Sequence, residues 1–164
     1  MVEVLLLRVM LILHGANIRI MSVLDIANNL FLERKFSQAI DEYSKILKNE
    51  PQNLTALNNM GYALTKLKKF DLALECYEKS LEIEDNDHTV LVNKISLFRK
   101  TGKVNDALKL CNFILEKHPE ELIVLYHKLR LLKKLSRFEE SNEICKKILS
   151  VYPSNIEVQN EFIK

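Results

Sequence analysis

Residues 54–87 read LTALNNMGYALTKLKKFDLALECYEKSLEIEDND. Leu54, Leu57, Met60, Gly61 and Leu64 recur every three or four residues, as on one face of a helix. After the polar pair Lys68 and Lys69 the same spacing resumes with Leu72, Ala73, Cys76, Tyr77 and Leu81. The stretch therefore predicts two amphipathic helices joined by a short turn. Moving outward in steps of 34 residues gives the same register without gaps over 20–53, 88–121 and 122–155. The twentieth positions are Ala39, Ala73, Ala107 and Ser141, all small. The seventeenth are Phe36, Phe70, Val104 and Phe138, and the eleventh are Leu30, Leu64, Phe98 and Leu132. The twenty-fourth are Tyr43, Tyr77, Cys111 and Cys145. Pro51, Pro119 and Pro153 fall at the thirty-second position, where Asp85 stands in the second segment. A repeat of helix pairs follows. A small twentieth residue lets the second helix lie close to the first. Ser37, Asp71 and Asn105 are read as N-caps of the second helices. Asn53, Asp87 and Asn155 are read as N-caps of the helices that follow.

Composition agrees with an all-α fold. In 164 residues there are three Gly and three Pro, too few for the turns of a many-stranded protein. Apolar residues make up 48% of the chain, which excludes wholesale disorder. Three glycines also exclude a long Gly-rich phosphate loop. The net charge of +2 implies no particular partner. Cys76, Cys111 and Cys145 sit among apolar neighbours and read as reduced core residues, which suits a cytoplasmic setting.

Residues 1–19 are expected to form an apolar helix, either a degenerate half-repeat or a cap. Leu5, Leu6, Val9, Ile12 and Leu13 would face the stack. The run Val4 to Leu13 is too short to span a bilayer. Glu3 precedes it, where a signal peptide carries basic residues. Met21 is an alternative start.

The 34-residue pattern resembles the tetratricopeptide repeat family over residues 20–155, most closely at Leu57, Met60, Gly61, Leu64, Ala73, Tyr77 and Ser80. No copy has Trp at the fourth position. Gly61 alone supplies the family's small eighth residue, with Ala27, Ile95 and Leu129 in its place elsewhere, so the third and fourth segments should show altered helix spacing. The 35-residue pentatricopeptide repeat of RNA-binding proteins is the alternative, and the uninterrupted 34 period argues against it. The resemblance implies a right-handed α-solenoid of four tandem repeats, 20–53, 54–87, 88–121 and 122–155, with short terminal helices. Residues 156–164 would begin a short capping helix. First helices would line a concave groove and second helices its convex back.

In this family the groove-facing residues are the second, fifth, sixth, ninth, twelfth and thirteenth of each repeat. The resemblance places there Met21, Leu24, Asp25, Asn28, Phe31 and Leu32, then Thr55, Asn58, Asn59, Tyr62, Thr65 and Lys66. It also places Thr89, Val92, Asn93, Ser96, Arg99 and Lys100, then Ile123, Tyr126, His127, Arg130, Lys133 and Lys134. From these, Asn28, Asn59 and Asn93 are expected to form an asparagine ladder that pairs with a peptide backbone. Tyr62 and Tyr126 would give contact area. Arg99, Arg130, Lys133 and Lys134 would favour acidic ligands. Residues 88–164 carry 14 basic and 9 acidic residues, against 10 and 13 over 1–87, so charge grades along the array. The carboxylate clamp of chaperone-binding members is not expected, because Leu24, Thr89 and Asn93 replace its basic residues.

No catalytic signature or metal-binding spacing is found around His14, His88, His118 and His127, and no cofactor is implied. Glu120–Glu121 and Glu139–Glu140 are adjacent pairs, which point apart on a helix. The sequence reading is thus a cytoplasmic, non-catalytic, protein-binding module whose groove takes a peptide or helix, preferably acidic. The alternatives are a scaffold that self-assembles or dimerises through its ends, near Phe162 and Ile163, and an RNA-binding helical repeat protein.

Overall fold

The computed structural model describes residues 22–162. The run Val4 to Leu13, the side chain of Phe162, and Ile163 lie outside the described residues. Among those described there are nine helices and no strand. They are α1 (Val23–Leu32), α2 (Phe36–Asn49), α3 (Leu54–Lys66), α4 (Phe70–Ile83) and α5 (His88–Thr101). Then come α6 (Val104–Lys117), α7 (Leu122–Lys134), α8 (Phe138–Val151) and α9 (Ile156–Phe162). The second helices α2, α4, α6 and α8 are each 14 residues long and start 34 residues apart.

Each helix packs on the next along the chain. Successive first helices, α1, α3, α5 and α7, also approach one another closely, whereas the backbones of successive second helices lie further apart. The stack therefore curves with the first helices on its inner face. No helix among the described residues is long and apolar enough to cross a membrane.

The turns explain the strictness of the register. After each first helix one residue takes the left-handed conformation: Arg34 (φ 60°), Lys68 (φ 61°), Gly102 (φ 78°) and Ser136 (φ 57°). The next backbone N–H, of Lys35, Lys69, Lys103 or Arg137, then donates to Leu30, Leu64, Phe98 or Leu132 O at 2.9–3.0 Å, closing the helix end. This tight turn puts Lys35, Lys69, Lys103 and Arg137 at the N-cap positions of the second helices, with no side-chain cap. Ser37, Asp71 and Asn105 are thus not N-caps; each lies one residue inside its helix. The other junction behaves as expected. Asn53 and Asp87 accept the N–H of Ala56 (3.0 Å) and Val90 (3.1 Å), and Asn155 accepts that of Val158 (3.2 Å). Pro51 sits inside a turn closed by Asn53 N–H to Glu50 O at 3.1 Å, where its fixed φ suits the second position.

The core runs the length of the stack. Ala39, Ala73, Ala107 and Ser141 are at most 2% exposed and set the close approach within each pair. Met60 and Leu81 bridge otherwise separate buried clusters into one continuous interior. Pairing is closest for α3 with α4, and looser for α5 with α6 and α7 with α8. Cys76, Cys111 and Cys145 are buried. Burial pushes the Cys76 thiol up to about 11 and that of Cys111 to about 12, so both are inert packing groups at neutral pH.

Candidate functional site

The inner face holds two distinct regions. Toward the N-terminal end, α1, α3 and α5 frame a cavity of ≈ 460 Å³ lined by Phe31, Phe36, Asn58, Tyr62, Lys66 and Asn93, among others. Phe31 and Tyr62 meet edge to face with ring centroids 5.3 Å apart. Phe36 closes the group, 6.0 Å from Phe31 and 6.4 Å from Tyr62. Edge-on rings hold one another in place and keep an apolar wall open to the groove. Lys66 Nζ lies over the Tyr62 ring at 4.8 Å.

The asparagines are bonded to one another as two pairs. Asn59 Nδ2 donates to Asn28 Oδ1 at 3.1 Å, and Asn93 Nδ2 donates to Asn58 Oδ1 at 2.9 Å. Tyr43, reaching from α2, donates its hydroxyl to Asn28 Oδ1 at 2.7 Å and accepts from Asn59 Nδ2 at 3.2 Å. Part of each amide is therefore used to tie successive first helices together. The groups left over include Asn59 Oδ1 and Asn93 Oδ1, on two residues that line the cavity.

The second region lies on α5 and α7. Arg130 stands over the Tyr126 ring at 6.0 Å and meets Glu157 of α9 at 3.5 Å. The Tyr126 hydroxyl donates to Asn155 Oδ1 at 2.8 Å, so this ring is anchored to the start of α9. Arg99 is half-buried, and burial, then the like charge of Arg130, pulls its pKa down. His127 shares this surroundings. Burial foremost, then Arg99 and Arg130, pull its pKa down to about 4, which leaves it neutral at physiological pH. Lys133 is half-buried and Lys134 exposed one turn further on.

The structure thus gathers Asn59, Tyr62 and Asn93 around one cavity, which Asn28 does not line although it is bonded to Asn59, and Arg99, Tyr126 and Arg130 lie apart from it on α5 and α7. Thr65, placed in the groove by family register, is instead only 5% exposed and donates to Gly61 O at 2.9 Å. Phe36 was missed as a groove residue because its position reads as core, and Arg34 because it belongs to the turn. Among the described residues no group of three or more His, Cys, Asp or Glu residues converges as a metal site. His88 and His118 lie at helix junctions, their rings edge to face at 5.6 Å.

The tetratricopeptide repeat family model matches residues 55–87. No curated protein sequence matches the chain. Solved structures match its fold. A tetratricopeptide repeat protein from Parabacteroides merdae shares 23% identity with a TM-score of 0.76, covering 83% of this chain. The match spans only 54% of that protein's length. YrrB, described as a tetratricopeptide repeat protein with an unusual peptide-binding site, shares 19% identity over 85% of this chain and 72% of its own, with a TM-score of 0.75. The second such domain of human RPAP3, solved with an HSP70 peptide, shares 19% identity over 67% of this chain and 92% of its own, with a TM-score of 0.62. Residues 55–87 thus match the tetratricopeptide repeat family, and the chain as a whole has the fold of tetratricopeptide repeat proteins.

Proposed function

We propose that this chain is a non-catalytic interaction module that holds an extended or helical segment of a partner protein in its concave groove. The cavity between α1, α3 and α5 carries the reading. Its wall joins three aromatic rings to amide groups with unused donors and acceptors, which suits a peptide's side chains and backbone together. Arg34 and Lys66 at its edge have no ion pair among the described residues, and Arg99 and Arg130 extend the positive surface, so acidic segments are favoured. The peptide solved with the human domain, SGPTIEEVD, itself carries two glutamates and a terminal aspartate. Buried reduced thiols accord with a cytoplasmic setting.

The test is selection of random phage-displayed peptides on the immobilised protein. Selected peptides should be enriched in Asp and Glu and should lose most of their affinity for Tyr62→Ala and Asn93→Ala variants of unchanged circular dichroism. Peptides that bind these variants as well as the wild type would place the site elsewhere.

A further inference from the structure

We propose that residues 2–15 dock as a second helix on the bare face of α1, forming a half-repeat ahead of the first helix pair. The proposal stands apart from the groove reading.

Every first helix after α1 is packed against the second helix that precedes it. At the fourth position of the later repeats, Leu57, Leu91 and Leu125 are at most 7% exposed. Val23 holds the same position in the first repeat and is 48% exposed. Ile26, at the seventh position, is 41% exposed, whereas Met60, Lys94 and Lys128 there are half-buried. An isoleucine is thus barer than two lysines in the same register. Beside this face a cavity of ≈ 620 Å³ opens between the start of α1 and the end of α2, lined among others by Val23, Leu24 and Ile46. In a repeat array a neighbour supplies the cover that one helix pair lacks, and in the later repeats that neighbour is a second helix.

The chain ahead of α1 carries the pattern of such a helix. Moving α2, Phe36–Asn49, back by 34 gives residues 2–15. Second helices meet the next first helix through their twenty-fourth and twenty-seventh residues. Tyr43 and Ile46 cluster with Ala56, and Cys111 and Ile114 cluster with Val124 and Leu125. In 2–15 these positions hold Val9 and Ile12, followed by Leu13 where Leu47, Leu81, Leu115 and Leu149 stand. Val2 matches Val104, and Glu3 matches Glu139 in the first turn of α8, where a carboxylate suits the helix N-terminus. Arg8 falls at the place of the half-buried Glu42, which already accommodates a charge. Leu5 stands at the twentieth position, where a paired first helix demands a small residue, so a lone second helix is specified rather than a full repeat. Residues 16–22 would join it to α1, against 50–53, 84–87 and 118–121 at the later junctions, so the connection is long enough for the chain to cover its own face. Second helices lie on the outer side of the stack, so the groove stays open. Asn28 and Phe31 ride on α1, and the docked helix would give that wall of the groove a further supporting neighbour.

Hydrogen exchange of the full chain, read by mass spectrometry beside sedimentation at the same concentration, tests this. In a monomer, the amides of 2–15 should exchange more slowly than in an unstructured peptide by on the order of tenfold or more. Ile12→Glu with Leu13→Glu should abolish that protection and quicken exchange in α1. Leu7→Glu with Leu11→Glu should preserve both, because those positions match the exposed Asp41 and Lys45. Val23→Asp with Ile26→Asp replaces side chains that are already largely exposed, and with circular dichroism unchanged it should release 2–15 from the other side. Unprotected 2–15 in the wild type would overturn the proposal. Equal losses from the two Glu pairs would overturn the register. Protection that survives Val23→Asp with Ile26→Asp would overturn the seat on α1. Protection that disappears as dimers dilute to monomers would overturn the choice of occupant, in favour of a second copy of this chain.

Discussion

A Cβ atom on Gly61 would stand 2.6 Å from Cε1 of the Tyr77 ring. The glycine of α3 is therefore the space into which the tyrosine of α4 fits. The same two register positions hold Ala27 and Tyr43, Ile95 and Cys111, and Leu129 and Cys145, all of them buried. A small residue accompanies the large ring in the first two pairs, and a large aliphatic accompanies the small thiol in the last two. Volume is conserved across the pair while its division between the helices is exchanged. The looser pairing of α5 with α6 and α7 with α8 accompanies this exchange.

Gly61→Leu should accordingly destabilise the fold by roughly 1–3 kcal/mol through overpacking. Tyr77→Cys alone should cost about 3 kcal/mol through the cavity it leaves. Together they rebuild the arrangement of the later pairs, so the double variant should lose less than the sum, with a coupling on the order of 1 kcal/mol or more. Urea unfolding of the four proteins reads this directly. Strict additivity would show that the two positions do not share space.

The left-handed turns make a cleaner backbone test. At Gly102 a Cβ would meet nothing within 4 Å, so Gly102→Ala isolates the cost of φ +78°. It should lower stability by about 1 kcal/mol. Lys68 takes φ +61° with a side chain, and Lys68→Gly should raise stability by about 0.5–1 kcal/mol, the relief of strain exceeding the added freedom of the unfolded chain. Opposite signs for the two substitutions in thermal or denaturant unfolding are the expected result.

The Tyr43 hydroxyl is the hub of the Asn28–Asn59 contact. Burial foremost raises its pKa, with the bond from Asn59 opposing, so it stays protonated and donating. Tyr43→Phe should cost about 1–2 kcal/mol and leave Asn28 Oδ1 with one donor fewer. Hydrogen exchange should quicken in α1 more than in α7. Equal protection throughout would mean that the amide pair does not tie the first helices.

The period of 34 was legible because several independent features repeat with it: small residues, apolar residues and prolines. The capping of second helices was not. Ser37, Asp71 and Asn105 look like caps, but the turn before them is closed by backbone alone, and only Gly102 of four left-handed residues betrays it by type. The groove residues were legible only through family register, which brings Asn59 and Tyr62 to the cavity yet misplaces Thr65, whose hydroxyl can bond its own helix and so tolerate burial. The pairing of Asn93 with Asn58 rather than Asn59 depends on how adjacent helices are offset, which no single repeat encodes.

His127 also links stability to pH. In the unfolded chain it titrates near its ordinary value, about 6.5, whereas in the fold burial, Arg99 and Arg130 hold it near 4. Below the ordinary value the unfolded state therefore binds a proton that the folded state refuses. The sign follows: stability falls as pH drops from about 6.5 toward 4, and this contribution flattens once the folded imidazole itself takes up the proton. Arg99→Gln should shrink the loss by removing one positive neighbour, and His127→Gln should remove it. Denaturant midpoints measured at closely spaced pH values across that window check both. A wild type and a His127→Gln variant with parallel pH profiles would mean that His127 titrates alike in both states.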